Sequence, residues 1–259
     1  MADHYLPPVN ALRAGLGLEP LRHFEELFLR SQRFILFTAE PHEYPRSDWP
    51  ESVRLVGPLT WEPATPPPAW LSAETRPIVL VTASTVYQRD DKLISTALTA
   101  LAHEDLAVIA TTGALDPTTF DAPGNARVEA FLPHGPILKR AACVVSHGGM
   151  GITQKSLAAG VPVCVVPFCR DQFEVARRVE VSSAGTRLHH KRLTAERLRE
   201  AVRATIRMRP GAQGVAEAFA RAGGAQAAAD AVEELLAPEH GTRHSRPATA
   251  VTTTAGSAG

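Results

Sequence analysis

The chain has 259 residues, 44% of them hydrophobic and 21% charged, enough apolar matter for one good core, or one core and part of another. Its 27 basic and 27 acidic residues cancel, which excludes the basic field that grips a nucleic-acid backbone or an anionic membrane. The odd set Cys143, Cys164 and Cys169 lies in or beside apolar runs. That suits buried thiols in a reducing, cytoplasmic setting, and no run reaches the roughly 18 apolar residues of a membrane span or forms a leader's apolar segment.

In chain order, the first 60 residues read as short and broken elements. Residues 10–20 and 21–32 look helical, and 33–38 and 53–59 look like strands. Residues 1–59 are expected to be the remnant of a larger N-terminal domain. The proline-rich stretch 60–77 is expected to be a stiff linker. From residue 78 the pattern changes. The β-branched runs at 78–84, 106–112, 126–131, 143–147 and 161–168 predict parallel strands covered on both faces. Helical patterns at 90–103, 151–159, 171–182 and 194–207 fall between and after them. The fold expected for 78–237 is α/β, a Rossmann-like doubly wound parallel sheet with ligands at the carboxyl ends of its strands. Residues 238–259 have no apolar periodicity and are expected to be a disordered tail.

Two consecutive strand ends carry chemistry. In "VVSHGGMGITQKSLAAG" (144–160) a strand delivers a glycine-rich turn to a helix start, where free backbone N–H groups and the helix dipole attract an anion. His147 adds an imidazole donor, and Gly148, Gly149 and Gly151 allow close approach. The plain alternative is a tight turn around a satisfied histidine. A P-loop frame fails because Gln154 stands where its second glycine belongs, and a dinucleotide fingerprint fails at the same residue. A nucleophile elbow fails because position 144 is valine.

At the next strand end, "PFCRDQFEVARR" (167–178) places Asp171 before Gln172. Asp171 with Glu174 reads as a capping box. An acceptor-only carboxylate beside an amide that both donates and accepts also suits the vicinal hydroxyls of a sugar. An anion at one strand end and hydroxyls at the next describe a nucleotide sugar.

The run His147-Gly148-Gly149-Met150-Gly151, then Ala158-Ala159-Gly160-Val161-Pro162 and Asp171-Gln172, resembles the donor-binding signature of the UDP-glycosyltransferase-like enzymes of GT-B fold, including the MGT-type bacterial glycosyltransferases. The resemblance covers about residues 5–236 and implies the C-terminal, donor-binding half of such an enzyme. It implies that His147, Gly148, Gly149, Gly151 and Thr153, with Ser84 and Thr85 of an earlier loop, hold the diphosphate. It implies Phe131 and Leu132 at the base, and Asp171 and Gln172 at the donor sugar. Position 152 is Ile where many members have Ser or Thr, with Thr153 one place later. Lys155 stands where many UDP-sugar users carry a ribose-binding glutamate. An ammonium cannot accept hydroxyl protons, so a dTDP-sugar is a donor alternative to a UDP-sugar.

The implied reaction is an inverting transfer of a hexose to a small-molecule acceptor whose identity is left open. No metal or other cofactor is expected. The acceptor pocket and catalytic base belong, by resemblance, to an N-terminal domain that this chain is expected to lack in large part. No catalytic residue is assigned, and activity of the chain alone is not expected. Alternatives are a donor-binding subunit completed by a separate acceptor-domain protein, or a nucleotide-sugar binding module without catalysis.

Overall fold

The computed structural model describes residues 2–84 and 91–236. Thr85, the anticipated helix start at Asp90 and the tail 238–259 lie outside the described residues. In the N-terminal part, α1 (Leu6–Gly15) and the single turn α2 (Glu26–Leu29) precede β1 (Phe34–Leu36) and β2 (Val53–Leu55). The two strands pair in parallel, Phe34 opposite Val53. The helices are shorter than their patterns suggest and bury no residue, although Phe28 of α2 packs against Phe34 of β1 with ring centroids 5.5 Å apart.

A second, six-stranded sheet follows. Its strands are β3 (Ile78–Thr82), β4 (Ala107–Thr111), β5 (Ala126–Glu129), β6 (Ala141–Ser146), β7 (Val163–Val165) and β8 (Gly185–Arg187). All neighbours pair in parallel in the order β5-β4-β3-β6-β7-β8. Strands β3, β4 and β7 are buried along their whole length, as expected when helices cover both faces.

Alternation within the strands divides the core in two. Ile78, Leu80 and Val144 face Leu157, Val179 and Phe219, which belong to α5 (Met150–Ala158), α6 (Gln172–Val181) and α8 (Arg209–Ala222). Val79, Val81 and Val145 face Leu93, Leu98 and Leu198, from α3 (Asp91–Leu101) and α7 (Ala195–Ile206). The short α4 (His134–Leu138) and the last described helix, α9 (Gly224–Glu233), complete the order. The predicted doubly wound sheet is therefore present, and its strand order reverses between β3 and β6, where a ligand crevice belongs.

The N-terminal strands rest on the C-terminal helices. The Gly224 N–H donates to the Val56 carbonyl, and the Arg33 guanidinium meets the Glu234 carboxylate at 3.0 Å. Gly57 has φ +80°, and a methyl there would meet the Phe219 carbonyl at 2.8 Å, so glycine is what permits this approach. Among the described residues no helix is long and apolar enough to cross a membrane.

Candidate functional site

The site lies over the carboxyl ends of β3 and β6. His147 is the first residue after β6 and is 7% exposed. Gly148 follows at φ +94°, and a methyl on it would press on Val165 at 2.7 Å and on the Gln172 carbonyl at 3.2 Å. Only glycine lets the turn sit on β7 and the start of α6. The Gly148 N–H donates to the Ser146 hydroxyl at 3.3 Å, and Gly149 is the residue before α5. The N-terminus of α5 thus opens beside the imidazole.

His147, Gly149, Gly151, Ser84 and Lys155 line one cavity of about 600 Å³, with Arg170 on its wall. A second cavity of about 380 Å³ adjoins it, lined by Trp61, Glu62, Phe131, Leu132, His134 and Lys155. Trp61, His134 and Lys155 border both. The Phe131 ring is 68% exposed, a free π face, whereas Leu132 packs against the core.

Electrostatics between the cavities centre on one ion pair. Lys155 Nζ lies 2.7 Å from Glu62 Oε1, so the proline-rich stretch 60–77 supplies a carboxylate beside position 155. His134 stands beside the pair. Thr111 Oγ1 gives its proton to Thr82 Oγ1 at 3.0 Å, which leaves His134 Nε2–H as the donor in its 3.1 Å contact with Thr111. Burial, reinforced by Lys155 and opposed by Glu62, lowers the His134 pKa to about 4. The ring is neutral at pH 7. Among the described residues no three His, Cys, Asp or Glu side chains converge as metal ligands would.

The family model for the erythromycin biosynthesis protein CIII-like C-terminal domain matches residues 95–235, more than half of the chain. The chain belongs to the EryCIII-like C-terminal-domain family. It is 38% identical over 240 residues to 4'-demethylrebeccamycin synthase of Lentzea aerocolonigenes, covering 88% of this chain and 56% of that protein. The chain spans about half the length of the curated relatives it matches. Among solved structures it is similar to the calicheamicin glycosyltransferase CalG4, with TM-score 0.74 and 24% identity over 89% of this chain and 60% of that one. It is similar also to the glycosyltransferase VinC in complex with dTDP, with TM-score 0.69 and 24% identity over 90% of this chain and 59% of that one. These structures share its fold, that of the C-terminal half of GT-B glycosyltransferases.

In this member of the EryCIII-like family the anticipated residues divide. Ser84, His147, Gly149, Gly151, Lys155, Phe131 and Leu132 border the paired cavities. Thr153 does not. It is fully buried, and its hydroxyl donates back to the Gly149 carbonyl at 2.9 Å, a common habit of threonine one turn into a helix. Gly148 works from beneath, as the turn that seats the imidazole. Asp171 is exposed at the start of α6 and makes no side-chain cap. The capping box expected with Glu174 is therefore not formed, because Asp171 has helical backbone angles (φ −72°, ψ −10°) rather than the extended ones a capping side chain requires.

Gln172 is 2% exposed. Its Oε1 accepts from the Phe168 and Cys169 N–H groups at 2.8 and 3.1 Å, so this amide braces the loop that carries Asp171. Sequence reasoning missed Trp61, Glu62 and Arg170. For the first two no local signal existed, since they lie in a proline-rich connection whose path alone brings them to α5.

Proposed function

We propose that this chain is the donor-binding half of a glycosyltransferase that moves a hexose from a UDP- or dTDP-sugar to a small-molecule acceptor with inversion. One observation carries the reading. An aromatic-floored recess at Phe131 and Trp61 runs past the Glu62–Lys155 pair into a pocket that ends on His147 and the start of α5. That sequence of surfaces suits base, ribose and diphosphate in turn. The Glu62 carboxylate accepts from ribose hydroxyls, which removes the objection that Lys155 raises against a UDP-sugar. His147, Ser84 and the α5 N–H groups take the diphosphate, and Asp171 takes the sugar, with Gln172 fixing its loop. Thr85 belongs to the same assignment.

In the transfer, a base removes the proton of an acceptor hydroxyl. Its oxygen attacks the anomeric carbon from the face opposite the diphosphate, and the carbon–oxygen bond to phosphate breaks with its electron pair leaving on the nucleotide. The α5 terminus and His147 stabilise the charge that grows there without a metal. The base is assigned to the acceptor side, and His42 is unsuited to the task because it is 1% exposed and its pKa is pushed down by burial to about 4. We divide the chain into the acceptor-domain remnant 1–59, linker 60–77, donor domain 78–237 and tail 238–259, acting in the cytoplasm.

A second reading, a donor-binding subunit completed by a separate acceptor-domain protein, is favoured by the exposed apolar side chains of the N-terminal segment. Tyr5, Leu12, Leu16 and Leu18 are each about half exposed or more. Calorimetric titration with UDP and dTDP tests the proposal. Saturable binding that His147→Ala weakens about 10- to 150-fold is expected, with Asp171→Ala sparing the nucleotide and weakening only the sugar conjugate. Equal loss in both variants on free UDP would sink the division of roles.

A further inference from the structure

Arg170 is an unusual wall for the larger cavity. Its backbone has φ +54°, the left-handed region that a side-chain-bearing residue enters only when its surroundings hold it there. Two clamps do so. From inside, Gln172 Oε1 takes the N–H groups of Phe168 and Cys169. From outside, the His190 ring is 2.8 Å through Nδ1 from the Pro167 carbonyl. The same ring stacks on Phe168 at 5.5 Å and on His189 at 4.5 Å, and meets Phe173 edge-on at 6.0 Å. Residues 167–173 are thus pinned on both sides of Arg170.

The strained residue carries a charge. Arg170 is exposed and lines the cavity that holds Ser84, His147, Gly149 and Gly151. Among the described residues no carboxylate lines that cavity. Lys155 is already paired with Glu62, whereas no ion pair joins Arg170 to a carboxylate among the described residues. A guanidinium whose five donors are uncommitted among the described residues, at the rim of this pocket, matches phosphate oxygens in pairs.

We propose that Arg170 is a diphosphate-binding residue of this site and that His190 is the positioning residue that holds its loop. The inference rests on the donor-site reading above. A glycine at 170 relieves the left-handed strain while deleting the guanidinium, so stability and binding must move apart. Arg170→Gly is expected to raise or preserve the melting temperature and to weaken UDP about 10- to 100-fold, as loss of a charge-assisted contact does. Uridine, which has no phosphate, is expected to bind both proteins equally. His190→Ala weakens UDP in the unchanged chain but adds nothing in the Arg170→Gly chain, and His190→Gln, which keeps a donor to Pro167, restores part of the loss.

Calorimetric titration of the unchanged chain and these variants with UDP, dTDP, uridine and thymidine, with thermal melts, decides. If the unchanged chain binds neither UDP nor dTDP, the donor-site reading falls and this role falls with it. If it binds either diphosphate and Arg170→Gly binds that diphosphate as tightly, only the role of Arg170 is overturned. A His190→Ala effect that persists in full without Arg170 overturns the positioning role of His190.

Discussion

Replacing Gly149 by alanine isolates the imidazole from the helix terminus beside it. The backbone at 149 has φ −61° and ψ 134°, angles open to any residue, so the substitution brings no conformational strain. The methyl would instead stand 2.7 Å from His147 Nε2 and 3.1 Å from its Cε1. Ordinary contact begins near 3.4 Å, and the ring must retreat by about 0.7 Å at Nε2. Because a side chain yields more readily than backbone, the expected loss of stability is about 1 kcal/mol. Binding suffers more. A charge-assisted hydrogen bond to a diphosphate is worth about 1.5–3 kcal/mol, so the dissociation constant for UDP should rise by about 10- to 150-fold.

A methyl that simply fills the cavity would have the same effect, and a double-mutant cycle separates the two causes. In a His147→Ala background the ring is absent, and Gly149→Ala should then cost about threefold or less. Calorimetric titration of the four proteins, with urea melts to confirm folding, supplies the cycle. An undiminished Gly149→Ala penalty in the His147→Ala background would refute the reasoning, since the methyl would be excluding the nucleotide directly.

Two further outcomes follow from charges. Glu62→Gln removes the carboxylate beside Lys155 and is expected to weaken UDP by about tenfold and dTDP by less, because UDP offers one more hydroxyl; equal losses would end the ribose assignment. The pKa values of His42 and His134 are each lowered to about 4, chiefly by burial, so between pH 6.5 and 4 the unfolded chain binds protons that the native chain does not. Stability is therefore complete above about pH 6.5 and falls as the pH drops toward 4, by about 4 kcal/mol at most from pH 7.5 to pH 5 if both sites contribute fully. A urea midpoint that stays level over that interval, or a slope unchanged by His42→Phe, would contradict the burial argument.

The parts of the fold legible from sequence were those in which burial writes itself into composition. Strands β3, β4, β6 and β7 are near-continuous apolar runs because helices cover both faces. The apolar run at 143–147 begins two residues inside β6, since the strand opens on the small residues Ala141 and Ala142. Strand β8 has no such run. It has three residues, buried only at Gly185, where a methyl would collide with the Val163 carbonyl, and its identity is that missing side chain rather than any hydrophobic pattern.

The HGG turn and Asp171-Gln172 were readable because short motifs carry their own geometry. The fate of each side chain was not. Whether a glutamine faces a ligand or closes its own loop, and whether Thr153 faces the pocket or its own helix, depends on backbone angles that residue types do not report. Glu62 is the clearest case, since it reaches Lys155 only through the tertiary path of the proline-rich stretch that carries it.

The reversal of strand order between β3 and β6 carries a thermodynamic consequence. Ser84 follows one of these strands and His147 the other, while β4 and β5, which intervene in sequence, lie on the far side of β3. A nucleotide seated on both bridges segments that separate as soon as the sheet opens, so it binds the closed sheet alone. Mass action then adds RT ln(1 + [L]/Kd) to the free energy of unfolding, about 2.7 kcal/mol at a hundredfold excess over Kd. Slowed amide hydrogen exchange should accordingly extend along both central strands, well beyond the groups that touch the ligand.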